Sequence, residues 1–116
     1  MRYMLLIYTN QAAWAELDGP QTEQMMADYG TFTQRIIESG EFSAGDPLQG
    51  LDTATSVRVR DGKVDTTDGP FAETKEVLGG YYIIDVADLD RATAIAAQIP
   101  DAKYGTIEVR PIQEMG

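Results

Sequence analysis

Residues 68–80 concentrate side chains that could carry out acid–base chemistry. The segment holds the carboxylates of Asp68, Glu73 and Glu76 and the ammonium group of Lys75. Two carboxylates in one cleft can divide the roles of acid and base, because desolvation of one and hydrogen bonding of the other move their pKa values apart. We therefore predict Asp68 and Glu73 as catalytic residues, and Lys75 and Glu76 as ligand-binding residues, of a small-molecule site.

The same segment admits a purely structural interpretation. Its opening Asp-Gly-Pro run is typical of a turn, in which the Asp68 carboxylate would accept hydrogen bonds from the backbone near Phe71. Phe71 would then pack under the turn against the core, although it is also a candidate ligand contact. Glu73, Lys75 and Glu76 would form weak, exposed ion pairs. The sequence alone leaves both interpretations open.

Arginines are the candidates for orienting a substrate. A guanidinium group can hold a carboxylate through two parallel hydrogen bonds, and we predict this role for Arg58 and Arg110. Arg58 and Arg60 alternate with Val57 and Val59 along one predicted strand. If the valines face the helices, the arginines face a cleft and can bind a ligand. If the strand lies at a sheet edge, they are solubilising charges that discourage pairing with another edge.

Aromatic side chains could line a pocket. Tyr8, Tyr81 and Tyr82 lie on apolar strands, where aromatic residues are more often part of the core. Trp14 lies instead in the loop after the first strand, where a short helical turn could form a lid. We predict Trp14 as a ligand contact that covers a cavity.

The composition excludes several classes of function. The chain of 116 residues has no cysteine and no histidine, which removes disulfides, thiol nucleophiles, Ser-His-Asp triads and the usual zinc sites. Its formal charge of −10 opposes direct binding to nucleic acid or to anionic lipid. No apolar run approaches the ~20 residues of a membrane span, and no export signal is recognisable, so we expect a cytoplasmic protein.

Metal binding would have to use oxygen ligands. Asp46, Asp65, Asp68 and Glu73 could bind Mg²⁺ or Ca²⁺. Their spacing does not resemble an EF-hand loop. We therefore predict neither a metal site nor a cofactor.

Hydrophobic periodicity predicts one domain over residues 1–116. An apolar strand at the start is followed by a helix capped at Asp18 or Gly19, and a second helix is capped at Asp88. The remaining predicted strands lie at 42–48, 55–60, 63–66, 81–85 and 106–110, and the predicted helices end at Gly40 and Ile99. This order is the split β-α-β arrangement of a ferredoxin-like α+β sandwich, an antiparallel sheet with two helices on one face.

Two of the predicted strands raise a packing problem. The segments 3–8 and 81–85 are apolar on both faces of a strand, yet two helices can cover only one face of a sheet. The second face needs a partner, and another copy of the chain can supply it. We therefore predict a homodimer packed sheet to sheet.

Several motifs together resemble one known family. Asp68-Gly69-Pro70-Phe71, followed by Ala72-Glu73-Thr74-Lys75-Glu76 and Gly79-Gly80, is similar to the signature of the DGPF branch of the YCII-related family. The resemblance extends from the opening strand through Thr55–Gly62 to Ile107–Pro111. It implies a dimeric α/β-barrel type of fold, with clefts beside the dimer interface that bind a small polar molecule.

The resemblance also bears on activity. Relatives are similar to proteins with lyase-like dehydrohalogenase or proton-transfer roles, but the family's His–Asp pair cannot be present in a chain without histidine. Only Asp68 remains as a possible member of that pair. An alternative implied by the DGPF branch is a non-enzymatic accessory or sensor protein, a protein partner in regulation by extracytoplasmic-function sigma factors.

Overall fold

A computed structural model describes residues 1–115 and contains two antiparallel sheets. The larger sheet has four strands in the order β2-β5-β1-β6, and the smaller is the hairpin β3-β4. The strands are β1 Arg2–Asn10, β2 Phe42–Pro47, β3 Thr55–Arg60, β4 Lys63–Asp68, β5 Glu76–Asp85 and β6 Thr106–Pro111. The helices are α1 Gln11–Ala15, α2 Gly19–Glu38 and α3 Leu89–Ala96, with short 3₁₀ turns at Leu51–Thr53 and Pro100–Lys103.

The predicted fold class is confirmed. β1 and β5 are the central strands and pair in antiparallel fashion, with Leu5 opposite Tyr82 and Tyr3 opposite Ile84. These side chains face α2 and α3 and form the core with residues from both helices. The core comprises Tyr3, Leu5, Ile7, Phe32, Ile36, Tyr82, Ile84, Val86, Ala92, Ile95, Ala96 and Ile99.

The capping residue before α2 and the glycine after it predict the start and the end of this helix correctly. The Asp18 carboxylate accepts a hydrogen bond from the Gln21 backbone, and the Gln21 side chain accepts one from Asp18 in return. This capping box satisfies donors that a helix leaves free at its start. Gly40 follows the helix with φ of 79°, the left-handed conformation that glycine adopts at no steric cost.

The second helix is shorter than predicted. Asp88 caps α3 as expected, but the helix ends at Ala96, and Pro100 begins a separate 3₁₀ turn. The apolar spacing of Leu89, Ala92, Ile95, Ala96 and Ile99 predicts that all five are buried, but Leu89 is 53% exposed. It is the first residue of α3 and lies at the exposed end of this stripe.

The hairpin β3-β4 excludes the alternative in which its valines face the helices. Val57 and Val59 face neither the helices nor an interior cleft, since they are 61% and 58% exposed. The hairpin belongs to its own sheet and extends from the body, which gives the chain a radius of gyration of 16.2 Å. A compact chain of this length would have a radius of about 13 Å.

The face of the large sheet that lies opposite the helices is apolar at its centre. Met4, Leu6 and Tyr8 alternate with the buried residues of β1, and Tyr81 and Ile83 are their neighbours on β5. We call this surface, together with Leu78, the open sheet face. No helix of the described residues is both long and apolar enough to cross a membrane.

Candidate functional site

A cavity of about 390 Å³ lies between the large sheet and α2. Its floor is formed by β1, β5 and β2, and its sides by α2, α1 and the 3₁₀ turn at Pro100. The lining residues are mainly apolar or aromatic, and among them are Ile7, Trp14, Met26, Tyr29, Phe42 and Tyr82. Ligand pockets typically enclose about 300–1,000 Å³ and combine such a lining with a few polar groups.

The main polar group of the cavity is the carboxylate of Asp101. It is only 3% exposed and is the one buried charged side chain of the core within residues 1–115. The indole Nε1 of Trp14 donates a hydrogen bond to Oδ1 at 2.6 Å, and the Tyr29 hydroxyl donates to Oδ2. A buried carboxylate is expensive unless it is hydrogen-bonded, and these two donors supply that requirement from α1 and α2.

Local structure explains why Asp101 points into the cavity. Pro100 is the first residue of the 3₁₀ turn, and its ring fixes the backbone angle φ there. The backbone N–H of Gly105 donates a hydrogen bond to the Asp101 carbonyl at 2.8 Å. On the opposite side, Asn10 caps α1 and holds Trp14 in position by accepting from the Ala13 backbone. The carboxylate is therefore placed by its own 3₁₀ turn and held by donors from two other elements, α1 and α2.

The Tyr29 hydroxyl is a firm proton donor. Burial raises the pKa of Tyr29 well above its ordinary value of 10, and its hydrogen bond to Asp101 raises it further. Both effects act because a phenolate would be poorly solvated and would lie beside a carboxylate. Tyr29 therefore stays protonated throughout the physiological range and donates to Asp101.

A second polar pair lies farther along α2. The hydroxyls of Thr33 and Tyr82 are 2.6 Å apart, and burial raises the pKa of Tyr82. The Tyr82 ring is held by edge-to-face contacts with Phe32 and Phe42, at centroid distances of 5.2 and 6.3 Å. Gly45 allows the ring this position, because a Cβ there would lie 2.6 Å from Tyr82.

The charge around the cavity has a single sign. No lysine or arginine of the described chain lines it, and its charged side chains are Asp46 and Asp101. Asp46 accepts a hydrogen bond from the Tyr81 hydroxyl at 2.7 Å. An anionic ligand would meet carboxylates without a compensating cation.

Most residues predicted from the sequence lie elsewhere. Trp14 lines the cavity. The others lie outside its lining, in the hairpin, in the segment after it, or on β6, and these are Arg58, Asp68, Phe71, Glu73, Lys75, Glu76 and Arg110. The structure therefore does not bring the predicted carboxylates together with the cavity within one chain.

The turn interpretation of the signature segment also needs correction. Gly69 has a φ of 98°, as expected for such a turn, and its N–H donates to the Ala54 carbonyl at 2.7 Å. Asp68 is exposed, and its carboxylate accepts no backbone hydrogen bond from the described residues. Phe71 is 81% exposed and does not pack against the core. Neither the predicted cap nor the predicted anchor forms within a single chain.

The remaining candidates are exposed as well. Arg110 contacts Glu108 at 3.5 Å, beside the open sheet face. Arg58 lies opposite Asp65 on the hairpin. Within residues 1–115, no group of three or more acidic residues is arranged to hold a metal ion.

Sequence reasoning missed Asp101 because of its setting. Ile99-Pro100-Asp101 was read as the end of a helix, where an aspartate is ordinary. The available signal was a carboxylate directly after a buried apolar stripe and a proline, a position that a short turn can fold inward. The sequence gives no indication that Trp14 and Tyr29 would meet it, since they are 87 and 72 residues away.

Comparison with known proteins gives a family and a fold. The sequence model of the YCII-related domain matches residues 1–116. An uncharacterized protein of Rhizobium meliloti (strain 1021) is 33% identical over 114 residues, which are 97% of this chain and 92% of the relative. Assignment to the DGPF branch stays a prediction, and neither this relative nor the solved structure described next supports the association with sigma factors.

One solved structure is similar over nearly the whole chain. It is 5-chloro-2-hydroxyhydroquinone dehydrochlorinase from Burkholderia phenoliruptrix AC1100, in complex with 2,5-dihydroxybenzoquinone. The TM-score is 0.53 at 11% sequence identity, covering 99% of this chain and 96% of that one. At this identity the similarity establishes the shared fold.

Proposed function

The chain belongs to the YCII-related family, and we propose that this member binds a small, ring-sized molecule in the cavity between the sheet and α2. The ligand is largely apolar and carries a hydroxyl or amine whose hydrogen bond the Asp101 carboxylate accepts. A volume of about 390 Å³ suits such a molecule, since ~150 Å³ already accommodates benzene. The fold is shared with the dehydrochlorinase of a substituted hydroquinone, 5-chloro-2-hydroxyhydroquinone.

The observation that carries the proposal is the buried carboxylate of Asp101 at the wall of an apolar cavity. Trp14 and Tyr29 each occupy one of its oxygens, and each oxygen keeps a further lone pair for a ligand donor. A hydrogen bond to an ionised group in a low-dielectric site is stronger than a neutral one. Asp101 is thus the group that fixes the ligand's orientation.

The charge of the cavity selects the ligand class. With Asp46 and Asp101 as its charged groups and no lining cation in the described chain, the cavity favours neutral or cationic molecules. Aromatic rings from Trp14, Tyr29 and Phe42 add favourable contacts for a neutral ring or an amine. The two-point binding of a substrate carboxylate that was predicted for Arg58 and Arg110 does not operate in this cavity.

We also propose that Asp101 can act as a general base toward the bound ligand. A ligand hydroxyl bound to Asp101 would pass its proton to a carboxylate oxygen, while Tyr29 stays protonated and keeps its hydrogen bond. In a lyase-like elimination, the electron pair left on the ligand oxygen would then expel a leaving group from the ligand, and that group would depart with the electrons of its bond. The catalytic roles predicted for Asp68 and Glu73 would require a second copy of the chain to bring these residues to a cavity.

We also propose that two copies pair through the open sheet face. Met4, Leu6 and Ile83 are apolar residues on the side of the sheet that neither α2 nor α3 covers. A second copy would remove this surface from water, as predicted from the sequence.

The test uses the fluorescence of Trp14, which is the chain's single tryptophan and lines the cavity. Benzyl alcohol, benzylamine and benzoate each contain one benzene ring and differ in charge. Differences among their dissociation constants therefore report the effect of ligand charge on binding. We expect a saturable change with the alcohol or the amine, and binding of benzoate at least ten-fold weaker. Equal or tighter binding of benzoate, or no saturable change with any of the three, would refute the proposal.

A further inference from the structure

The hairpin β3-β4 has one apolar and one charged face. In an antiparallel pair, alternate residues and their cross-strand partners share a face. Val57, Val59 and Val64 therefore lie together, and the charged side chains of Arg58, Arg60, Lys63 and Asp65 lie on the reverse. Thr55, Thr66 and the charged Asp68 complete the side of the valines, which we call the valine face, and Ser56 and Thr67 complete the other.

The valine face is uncovered in a single chain. Val57, Val59 and Val64 are 61%, 58% and 70% exposed, and Phe71, just beyond the hairpin, is 81% exposed. An isolated two-stranded hairpin is marginally stable in water and ordinarily needs a hydrophobic surface to pack against. The alternation of β-branched residues along both strands is typical of a face that is buried in the functional state.

We propose that the valine face docks on a second copy of this chain. The charge distribution supports this occupant. Residues 55–68 carry three basic side chains (Arg58, Arg60, Lys63) and three acidic ones (Asp61, Asp65, Asp68) and are neutral, so the formal charge of −10 resides in the rest of the chain. Two such acidic bodies repel one another, and a neutral hairpin is the element that approaches a copy at the lowest electrostatic cost.

The size of the valine face indicates where on the copy it docks. Two strands of six residues present a surface of about 20 by 10 Å, or roughly 200 Å². A stable interface buries about 800 Å² on each partner. The hairpin must therefore extend a larger contact, and the open sheet face is a second uncovered apolar surface among the described residues. A two-fold axis would cover both surfaces at once, so this inference rests on the proposed pairing of two copies.

One consequence concerns the signature segment. Asp68 lies on the valine face at the end nearest the body, directly opposite Thr55. When the face docks, Asp68 and the neighbouring Phe71 would lie against the partner, where a single chain leaves both in solvent. The second copy would then provide packing contacts for Phe71 and a less solvated environment for the Asp68 carboxylate.

The test takes advantage of the absence of cysteine from the chain. Val59→Cys places a thiol on the valine face, and Arg58→Cys places one on the opposite face of the same strand. In a monomer both sites are exposed and react with a thiol reagent at similar rates. We expect Val59→Cys to react at least ten-fold more slowly than Arg58→Cys when each rate is normalised to that of the unfolded protein, and the protection to disappear on dilution.

Light scattering on the same samples separates the possible failures. A dimer in which both thiols react equally fast would overturn docking of the hairpin and leave the sheet pairing intact. A monomer at every accessible concentration would overturn both proposals. Neither outcome bears on ligand binding in the cavity, which fluorescence measures independently.

Discussion

At the residue scale, the proposed ligand site depends on the hydrogen bonds that hold the Asp101 carboxylate. The carboxylate is buried, and the donors on its two oxygens come from residues far away in the sequence. A buried acceptor that loses one donor loses part of what offsets its desolvation. The chain also contains a tyrosine–aspartate hydrogen bond at the surface, between Tyr81 and Asp46, which provides a matched comparison.

Replacement of Tyr29 by phenylalanine removes one donor without changing the ring. We expect the free energy of unfolding to fall by about 1–2 kcal/mol, a decrease in melting temperature of about 4–8 °C. Tyr81→Phe removes an equivalent hydroxyl from an exposed pair and should leave the melting temperature unchanged, because water replaces the lost bond. Thermal unfolding followed by circular dichroism measures both. Equal effects of the two substitutions would show that the Asp101 cluster does not depend on burial.

At the element scale, close approaches of the backbone limit which residues the chain tolerates. A Cβ at Gly105 would lie 2.0 Å from the carbonyl oxygen of Tyr8, so β6 can pair with β1 only if this position has no side chain. Gly30 is different, since it lies within α2 and a Cβ there would meet no atom within 4 Å. The two glycines therefore predict opposite responses to the same substitution.

Gly105→Ala should lower the free energy of unfolding by about 3 kcal/mol, because β6 or β1 must shift to relieve the clash. Gly30→Ala should raise it by about 0.5–1 kcal/mol, because alanine has the higher helix propensity. Urea unfolding of the two variants beside the parent gives both values. A stable Gly105→Ala variant would contradict the observed contact between the start of β6 and β1.

The elements themselves were largely predictable from local signals. The capping box at Asp18, the 3.6-residue stripe of α2 and the glycine after it are all contained in a short stretch of sequence. The end of α3 was placed three residues too late, because Ile99 continues the apolar spacing while Pro100 starts a turn of its own. Leu89 fitted the stripe by spacing alone, and its position at the helix start exposes it.

The site was far less predictable than the elements. A local cluster of charges at residues 68–80 attracted the catalytic prediction, whereas the cavity is assembled from side chains that meet only through the tertiary fold. Trp14 was identified because a lone tryptophan in a loop is conspicuous. Asp101 was not, because nothing in the neighbouring sequence shows which buried donors it will meet.

At the scale of the whole molecule, the ion pair between Arg91 and Glu41 connects distant parts of the chain and contributes to stability in acid. Arg91 on α3 holds Glu41, just before β2, through two hydrogen bonds of 2.7 Å. This interaction lowers the pKa of Glu41 from 4.5 to about 2, opposed by partial burial and assisted by the Ser39 hydroxyl. A carboxyl group whose pKa is lower in the folded state stabilises the fold above its unfolded pKa, and the stabilisation is lost as the pH falls through the folded pKa.

We therefore expect the parent chain to lose stability between about pH 5 and pH 2, in part through Glu41. Arg91→Met should reduce the pH dependence within this window and lower the stability at pH 7. Arg110→Met is the control, since Arg110 contacts Glu108 at a longer distance of 3.5 Å and both side chains are largely exposed. Unfolding free energies measured at a series of pH values test this, and an unchanged slope in Arg91→Met would contradict the assignment.

The chain as a whole presents an internal cavity and an external pair of apolar surfaces, and Tyr81 is the residue that the cavity lining shares with the open sheet face. Asp101 belongs to the first, and Asp68 to the second. The sequence favoured Asp68 as the functional carboxylate, whereas the geometry favours Asp101. A comparison of the two isosteric variants decides between them.

The most direct test is calorimetric titration of the parent, Asp101→Asn and Asp68→Asn with benzylamine and benzyl alcohol. Near-ultraviolet circular dichroism first establishes that each variant retains the native packing. We predict that Asp101→Asn weakens binding at least ten-fold, while the dissociation constant of Asp68→Asn stays within two-fold of the parent. Undiminished binding in Asp101→Asn, with a loss in Asp68→Asn, would contradict the assignment and place the function at the hairpin.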